Sequence, residues 1–195
     1  WKTAPRGDPI AFATLLEGAA KAVKAADPSA LVAFGAPFFH EQIIIGGIPF
    51  TKEAFKSRPG LTTLLDRMAV HPYPMYPPSV PPESTEGKNI PIWEMLSQTS
   101  AFLPKKPLWV TEVGWPIYGK VDEKKQAEYL SRSFLLSFAA GAEITCWYNF
   151  GDGKDYKEFP PEQAFGLFRY SANWQKALPE PKPSYFALKA ISTIL

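Results

Sequence analysis

The sequence predicts an α/β fold built on parallel strands. Three observations predict it. Short apolar runs end in glycine or proline, helix-patterned stretches separate them, and the two alternate along the chain. Alternating βα units require parallel neighbours joined by right-handed crossovers. The 195 residues are 46% hydrophobic and 21% charged, an ordinary globular balance with enough chain for one sizeable core. The whole span, 1–195, is expected to form a single domain.

The first element reads as a helix. Asp8 can cap it, Pro9 suits the first helical position, and alanine-rich periodicity runs from Ile10 to Ala26 before Asp27-Pro28-Ser29 stops it. Ala30 to Ala36 is apolar throughout and is expected to be a strand buried on both faces. A long connection follows with His40, Glu41 and the Gly46-Gly47 turn. Helical pattern resumes over 51–66, broken at Pro59-Gly60. Arg67 to His71 is the second expected strand, and it enters the proline-rich loop Pro72 to Pro78. A helix is expected over 92–102, then a strand over 108–112. The clearest helix of the chain follows, from Glu123 to Ala140, closed by Gly141. Ile144 to Tyr148 is the fourth expected strand. A long loop, 149–174, carries short extended pieces around Phe165 to Phe168, and the last helix is expected over 183–195.

Composition excludes several functions. A net charge of +2 without a dense basic stripe argues against a nucleic-acid partner. No apolar run approaches the roughly 18 residues of a membrane helix. The lone Cys146 cannot pair within the chain and is expected to be a buried structural thiol. Two histidines are too few for an ordinary zinc hydrolase site. Gly151-Asp-Gly153 lacks the spacing of a phosphate loop, and no serine sits in a nucleophile elbow. No cofactor and no metal are expected. The 21 prolines and the 14% aromatic content, six tryptophans among them, fit stiff loops that either stack on flat sugar rings or complete the core.

Chemistry concentrates at strand ends. Pro107-Leu-Trp-Val-Thr-Glu-Val-Gly-Trp-Pro116 is a strand that finishes in a carboxylate. A glutamate at the carboxyl end of a parallel strand opens onto the mouth of a barrel or sheet, where such groups do chemistry. The alternative is a solvated charge at the strand's end. Glu112 is the candidate catalytic residue, and His71 and Tyr73, at the end of the preceding strand, cluster with it.

Taken together, Phe34 to Pro37, Val70-His-Pro-Tyr-Pro74, Thr111-Glu-Val-Gly-Trp115, Cys146 to Phe150 and the tail 165–188 resemble strands five to eight and the end of clan A retaining glycoside hydrolases. Families 39 and 5 look most similar. The resemblance implies a TIM (β/α)8 barrel of which this chain holds only the C-terminal half. It implies that Glu112 is the nucleophile, with His71 and Tyr73 beside it. Trp147 would floor the sugar subsite, with Trp115 and Tyr148 as further lining. The clan's acid/base follows an asparagine at the end of strand four. No Asn-Glu pair occurs here, so strands one to four and the acid/base are expected to lie outside a chain that starts at Trp1. Glu41 is the in-chain alternative for a second carboxyl; Asp152 and Asp155 read as loop charges or ligand contacts.

The implied activity is retaining hydrolysis of a β-glycoside, and the implied partners are an oligosaccharide substrate and whatever closes the barrel. That would be a missing N-terminal half or a second copy of the chain, since unpaired edges template association. The alternative function is a non-catalytic carbohydrate-binding or self-assembling half-barrel. The compartment is left open; a secreted parent is compatible.

Overall fold

Asp8 caps the first helix by accepting from the backbone N–H groups of Ile10 and Ala11, at 2.9 and 3.0 Å. Pro9 occupies the first turn, where its missing N–H leaves no bond unmade. The computed structural model describes residues 7–35, 37, 47–74, 77–154, 161–172 and 179–194. In chain order the elements are α1 (Pro9–Ala26), α2 (Gly47–Ser57), α3 (Leu61–Leu64), β1 (Met68–Val70), α4 (Ile92–Ser100), β2 (Leu108–Val113), α5 (Glu123–Ala139), β3 (Ala142–Trp147) and α6 (Pro183–Ile191). Pro59-Gly60 separates α2 from α3 as the sequence suggests. At the end of α5, Gly141 takes a φ of +89°, the left-handed turn that glycine adopts without a Cβ penalty.

The three strands among the described residues pair in sequence order, all parallel. Residues in register share a face. Met68, Leu108 and Ala142 lie together, with Val70 beside Val110, and all five belong to one buried cluster. Each helix among the described residues contributes to that cluster: Ala13, Phe55, Leu61, Met95, Leu130 and Ile191 come from α1 to α6 in turn. Phe34, Phe55 and Phe102 stack through its centre at 5.0 and 5.7 Å between ring centroids. The core therefore lies on one side of the sheet.

The other face is different in kind. It carries Ala69, Trp109 and Ile144 in register, with Ile144 41% exposed. Cys146, two residues beyond Ile144 on the same side of β3, is exposed. This corrects the expectation of a buried thiol: an apolar strand buries both faces only when both faces are covered. The same logic qualifies the expected strand at 30–36. It contributes one parallel bridge, Ala33 to Arg67, with Phe34 donating to the Arg67 carbonyl at 3.0 Å. Leu31 stays exposed, and Pro37, having no N–H, can only accept a bond, from His71 at 3.2 Å.

The tail folds back onto the exit of β3. Phe168 bridges Gly151 in parallel and Pro181 antiparallel, the short extended pieces the sequence suggested around 165–168. Beneath it, Lys182 and Asp152 form an ion pair at 2.8 Å with both side chains fully buried. The same Asp152 oxygen accepts from the Gly166 N–H at 2.8 Å. Burial pulls the Lys182 ammonium below its ordinary value, and Asp152 opposes that shift. Asp152 is thus a structural charge of the interior, not the loop charge or ligand contact its position suggested.

Candidate active site

Three strand exits converge. β1 ends at Val70, and the next residues turn sharply, with Tyr73 N–H on the His71 carbonyl at 3.0 Å. β2 delivers Glu112 as its penultimate residue, and β3 runs out through Trp147 and Tyr148. Gly114 lets the last two meet. A Cβ there would collide with the Tyr148 carbonyl oxygen, so only glycine allows the β2 exit to pass this close to β3. Tyr148 N–H closes the junction on the Val113 carbonyl at 2.8 Å.

The Tyr73 hydroxyl donates to Glu112 Oε1 at 2.7 Å, while His71 Nδ1 stands 3.6 Å from Oε2, a contact rather than a full hydrogen bond. Tyr73 is 1% exposed; Glu112 and His71 keep part of their side chains open to solvent. Burial, then the Glu112 charge and the hydrogen bond to it, push the Tyr73 hydroxyl far above its usual range. Tyr73 therefore stays protonated and always donates. Burial holds the His71 imidazole below its ordinary value against the opposing pull of Glu112. The carboxylate is oriented by a neutral donor and a largely neutral imidazole. Among the described residues no lysine or arginine pairs with Glu112. Such a carboxylate keeps a lone pair available for an electrophilic carbon.

The remaining candidates sort by burial. Trp115 is fully buried, its indole N–H on the Val80 carbonyl at 2.7 Å and its ring against Tyr129 and Trp147. The expectation that it lines a ligand site is therefore corrected: with no accessible surface it supports the site from behind. Trp147 is half-buried, stacked on Trp115 at 6.2 Å with its N–H on the Phe165 carbonyl at 3.0 Å. Tyr148 is half-buried with its ring edge on Phe165 at 5.2 Å. Phe165 also meets the Tyr73 ring, at 6.4 Å. Glu41, Asp155 and His40 lie outside the described residues.

Two groups escaped the sequence reading. Gln126 is fully buried on α5 and donates to the Trp115 and Ala164 carbonyls at 2.8 and 3.2 Å, fastening the β2 exit to the returning loop. Glu162 approaches the Tyr148 hydroxyl at 3.4 Å, and burial raises its carboxyl above the ordinary range. A glutamine at i, i+4, i+8 spacing with Leu130 and Phe134 on the apolar stripe of α5 was the available signal for the first. Nothing local marks the second.

Among the described residues, no group of three His, Cys, Asp or Glu is placed to hold a metal ion, and no helix is long and apolar enough to cross a membrane.

No family model matches the sequence, and no curated protein sequence matches it. Solved structures do. A family 39 β-xylosidase from Caulobacter crescentus superposes with a TM-score of 0.60 at 21% identity, over 95% of this chain and 38% of that one. Xylanase 10B from Thermotoga petrophila gives 0.59 at 20% identity, over 91% and 51%. A family 17 β-1,3-glucanosyltransferase from Rhizomucor miehei gives 0.58 at 17% identity, over 84% and 54%. These neighbours are clan A glycoside hydrolases, built as TIM barrels. The chain spans 38–54% of their lengths, and at these identities the likeness is one of fold.

Proposed function

We propose that this chain is the nucleophile-bearing half of a retaining β-glycosidase. Its elements correspond to strands five to eight of a (β/α)8 barrel, and 1–195 acts as one domain. The observation that carries the reading is the Tyr73–Glu112 hydrogen bond at the carboxyl ends of parallel strands. Solved neighbours that carry the names β-xylosidase, xylanase and β-1,3-glucanosyltransferase support a β-linked sugar substrate.

In this reading Glu112 attacks the anomeric carbon and forms a glycosyl-enzyme, which water then hydrolyses. Tyr73 holds one carboxylate oxygen so that the other faces the sugar. His71, Trp147 and Tyr148 contact the glycone. Retention requires a second carboxyl about 5–5.5 Å away to protonate the departing oxygen. We assign that role to strand four of a partner half. An aryl glycoside whose leaving group departs without a proton bypasses the requirement. Glu112→Gly should abolish hydrolysis of such a substrate, and azide should restore it as a glycosyl azide of inverted configuration. Unchanged turnover in the variant would remove Glu112 from the chemistry.

A second reading is a carbohydrate-binding or self-assembling half-barrel that breaks no bond, with the open surfaces as the place where it assembles. Ile10, Leu15 and Leu31 are exposed at one end of the βα series, and Phe150 and Phe186 at the other. An apolar groove of about 450 Å³ between Phe150, Phe168, Tyr185 and Leu188 lies at that second end. Both readings require these surfaces to be covered, by a missing half or a second copy. Turnover of an activated glycoside by the purified chain separates them.

A further inference from the structure

The loop that returns over β3 brings a second carboxyl to the mouth. Phe165 is the pivot: its buried ring touches Tyr73 on one side and Tyr148 on the other, at 6.4 and 5.2 Å. The Tyr148 hydroxyl meets Glu162 Oε2 at 3.4 Å, a long hydrogen bond with capacity left for another partner. Beyond burial, which dominates, the Glu112 and Glu162 carboxyls both push the Tyr73 hydroxyl up, so both bear on one phenol. The Glu162 carboxyl is half-buried and keeps acceptor capacity beyond the Tyr148 hydroxyl. Among the described residues Glu162 makes no ion pair.

We propose that Tyr148 and Glu162 form a second polar station of the mouth, which hydrogen-bonds hydroxyl groups of an uncharged sugar and disfavours an acidic one. The inference rests on the glycosidase reading above and adds the substrate class to it. A phenol offers one donor and an acceptor, and a carboxyl offers further acceptors. Vicinal sugar hydroxyls, each a donor and an acceptor, match that set. A uronic acid or sulfated sugar would set its anion against Glu112 and Glu162 together, in a half-buried setting where solvent screens such repulsion less than at a free surface. Tyr148 and Glu162 are specificity-determining contacts in this account, and Glu112 remains the reacting group.

The test is a matched pair of ligands on the full chain. Binding of 4-nitrophenyl β-glucoside, β-xyloside and β-glucuronide is measured for wild type, Glu162→Gln and Tyr148→Phe, with circular dichroism to confirm that each variant folds. The neutral glycosides should bind wild type, and the glucuronide should bind at least about tenfold more weakly, a Coulombic difference of ordinary size for a partly buried pair. Glu162→Gln removes the charge at constant shape, so it should narrow that gap. Tyr148→Phe should weaken the neutral ligands and leave the gap. Neutral binding with an unaltered gap in Glu162→Gln, and undiminished affinity in Tyr148→Phe, overturns this inference and leaves Glu112 untouched. Failure of every ligand to bind wild type overturns the carbohydrate reading and this inference with it.

Discussion

The two ends of the same three strands each carry a glutamate, and they treat it in opposite ways. At the starting end, Glu143 receives Arg67 Nε at 2.7 Å and Nη2 at 3.3 Å, and the Trp109 indole N–H at 2.6 Å. These bonds hold its carboxyl below the ordinary range, with Trp109 and Arg67 as the main causes. At the finishing end, Glu112 receives one neutral hydroxyl and a distant imidazole. The first carboxylate is neutralised by a forked guanidinium whose carbon sits 5.7 Å from the Trp109 ring. The second is aimed without being neutralised. A carboxylate saturated by a cation is a poor nucleophile; one held by a phenol is not. In the proposed glycosidase reading, this contrast assigns chemistry to one end of the sheet and architecture to the other.

The largest test of that contrast is to remove each charge alone. Glu112→Gln should lower hydrolysis of an activated glycoside by roughly 10³-fold or more while the melting temperature hardly moves. Glu143→Gln should do the reverse, lowering the melting temperature and leaving turnover near wild type. Equal rate losses in both variants would erase the distinction.

Next is the hook that hangs the returning loop on the β3 exit. Lys182→Met leaves Asp152 charged, buried and short of its cation, which costs about 3–5 kcal/mol in chemical unfolding. If that substitution is neutral, the pair does not hold the loop. Gly114→Ala should cost on the order of 2 kcal/mol, because the new methyl must displace the Tyr148 carbonyl. It should also slow turnover by parting Glu112 from the β3 exit; an alanine variant with wild-type stability and rate would show that the two exits do not need this close approach.

The smallest effect concerns His71. Its folded-state pKa is depressed, first by burial, so protons bind the unfolded chain more readily. Its contribution to stability is intact above the ordinary histidine value of 6.5 and is lost as pH falls below it. Urea midpoints measured between pH 8 and pH 5 should therefore fall more steeply for wild type than for His71→Gln. Parallel curves would place His71 in a water-like setting.

Much of this was written in local patterns. Asp8-Pro9 marked the start of α1, Gly141 the end of α5, and the 108–112 run carried most of β2 and the carboxylate near its end. What stayed hidden depends on residues far apart in the chain. Trp115 looks like a ligand platform until Val80, 35 residues earlier, is seen to accept its N–H. Asp152 looks like a surface charge until Lys182 arrives from 30 residues on. Glu162 follows a proline-rich stretch with no periodicity, and only the packing of Phe165 brings it to Tyr148. The misjudged burial of Cys146 has the same origin. An apolar strand implies two covered faces, and the pattern does not say what covers the second.

The proposed nucleophile can be tested in one step. Incubate the chain with 2,4-dinitrophenyl 2-deoxy-2-fluoro-β-glycosides, whose leaving group needs no proton and whose fluorine slows release of the intermediate, and map the labelled peptide by mass spectrometry. The account predicts one glycosyl unit on Glu112, absent from Glu112→Gln. No label on wild type, or a label that persists in the variant, would contradict it.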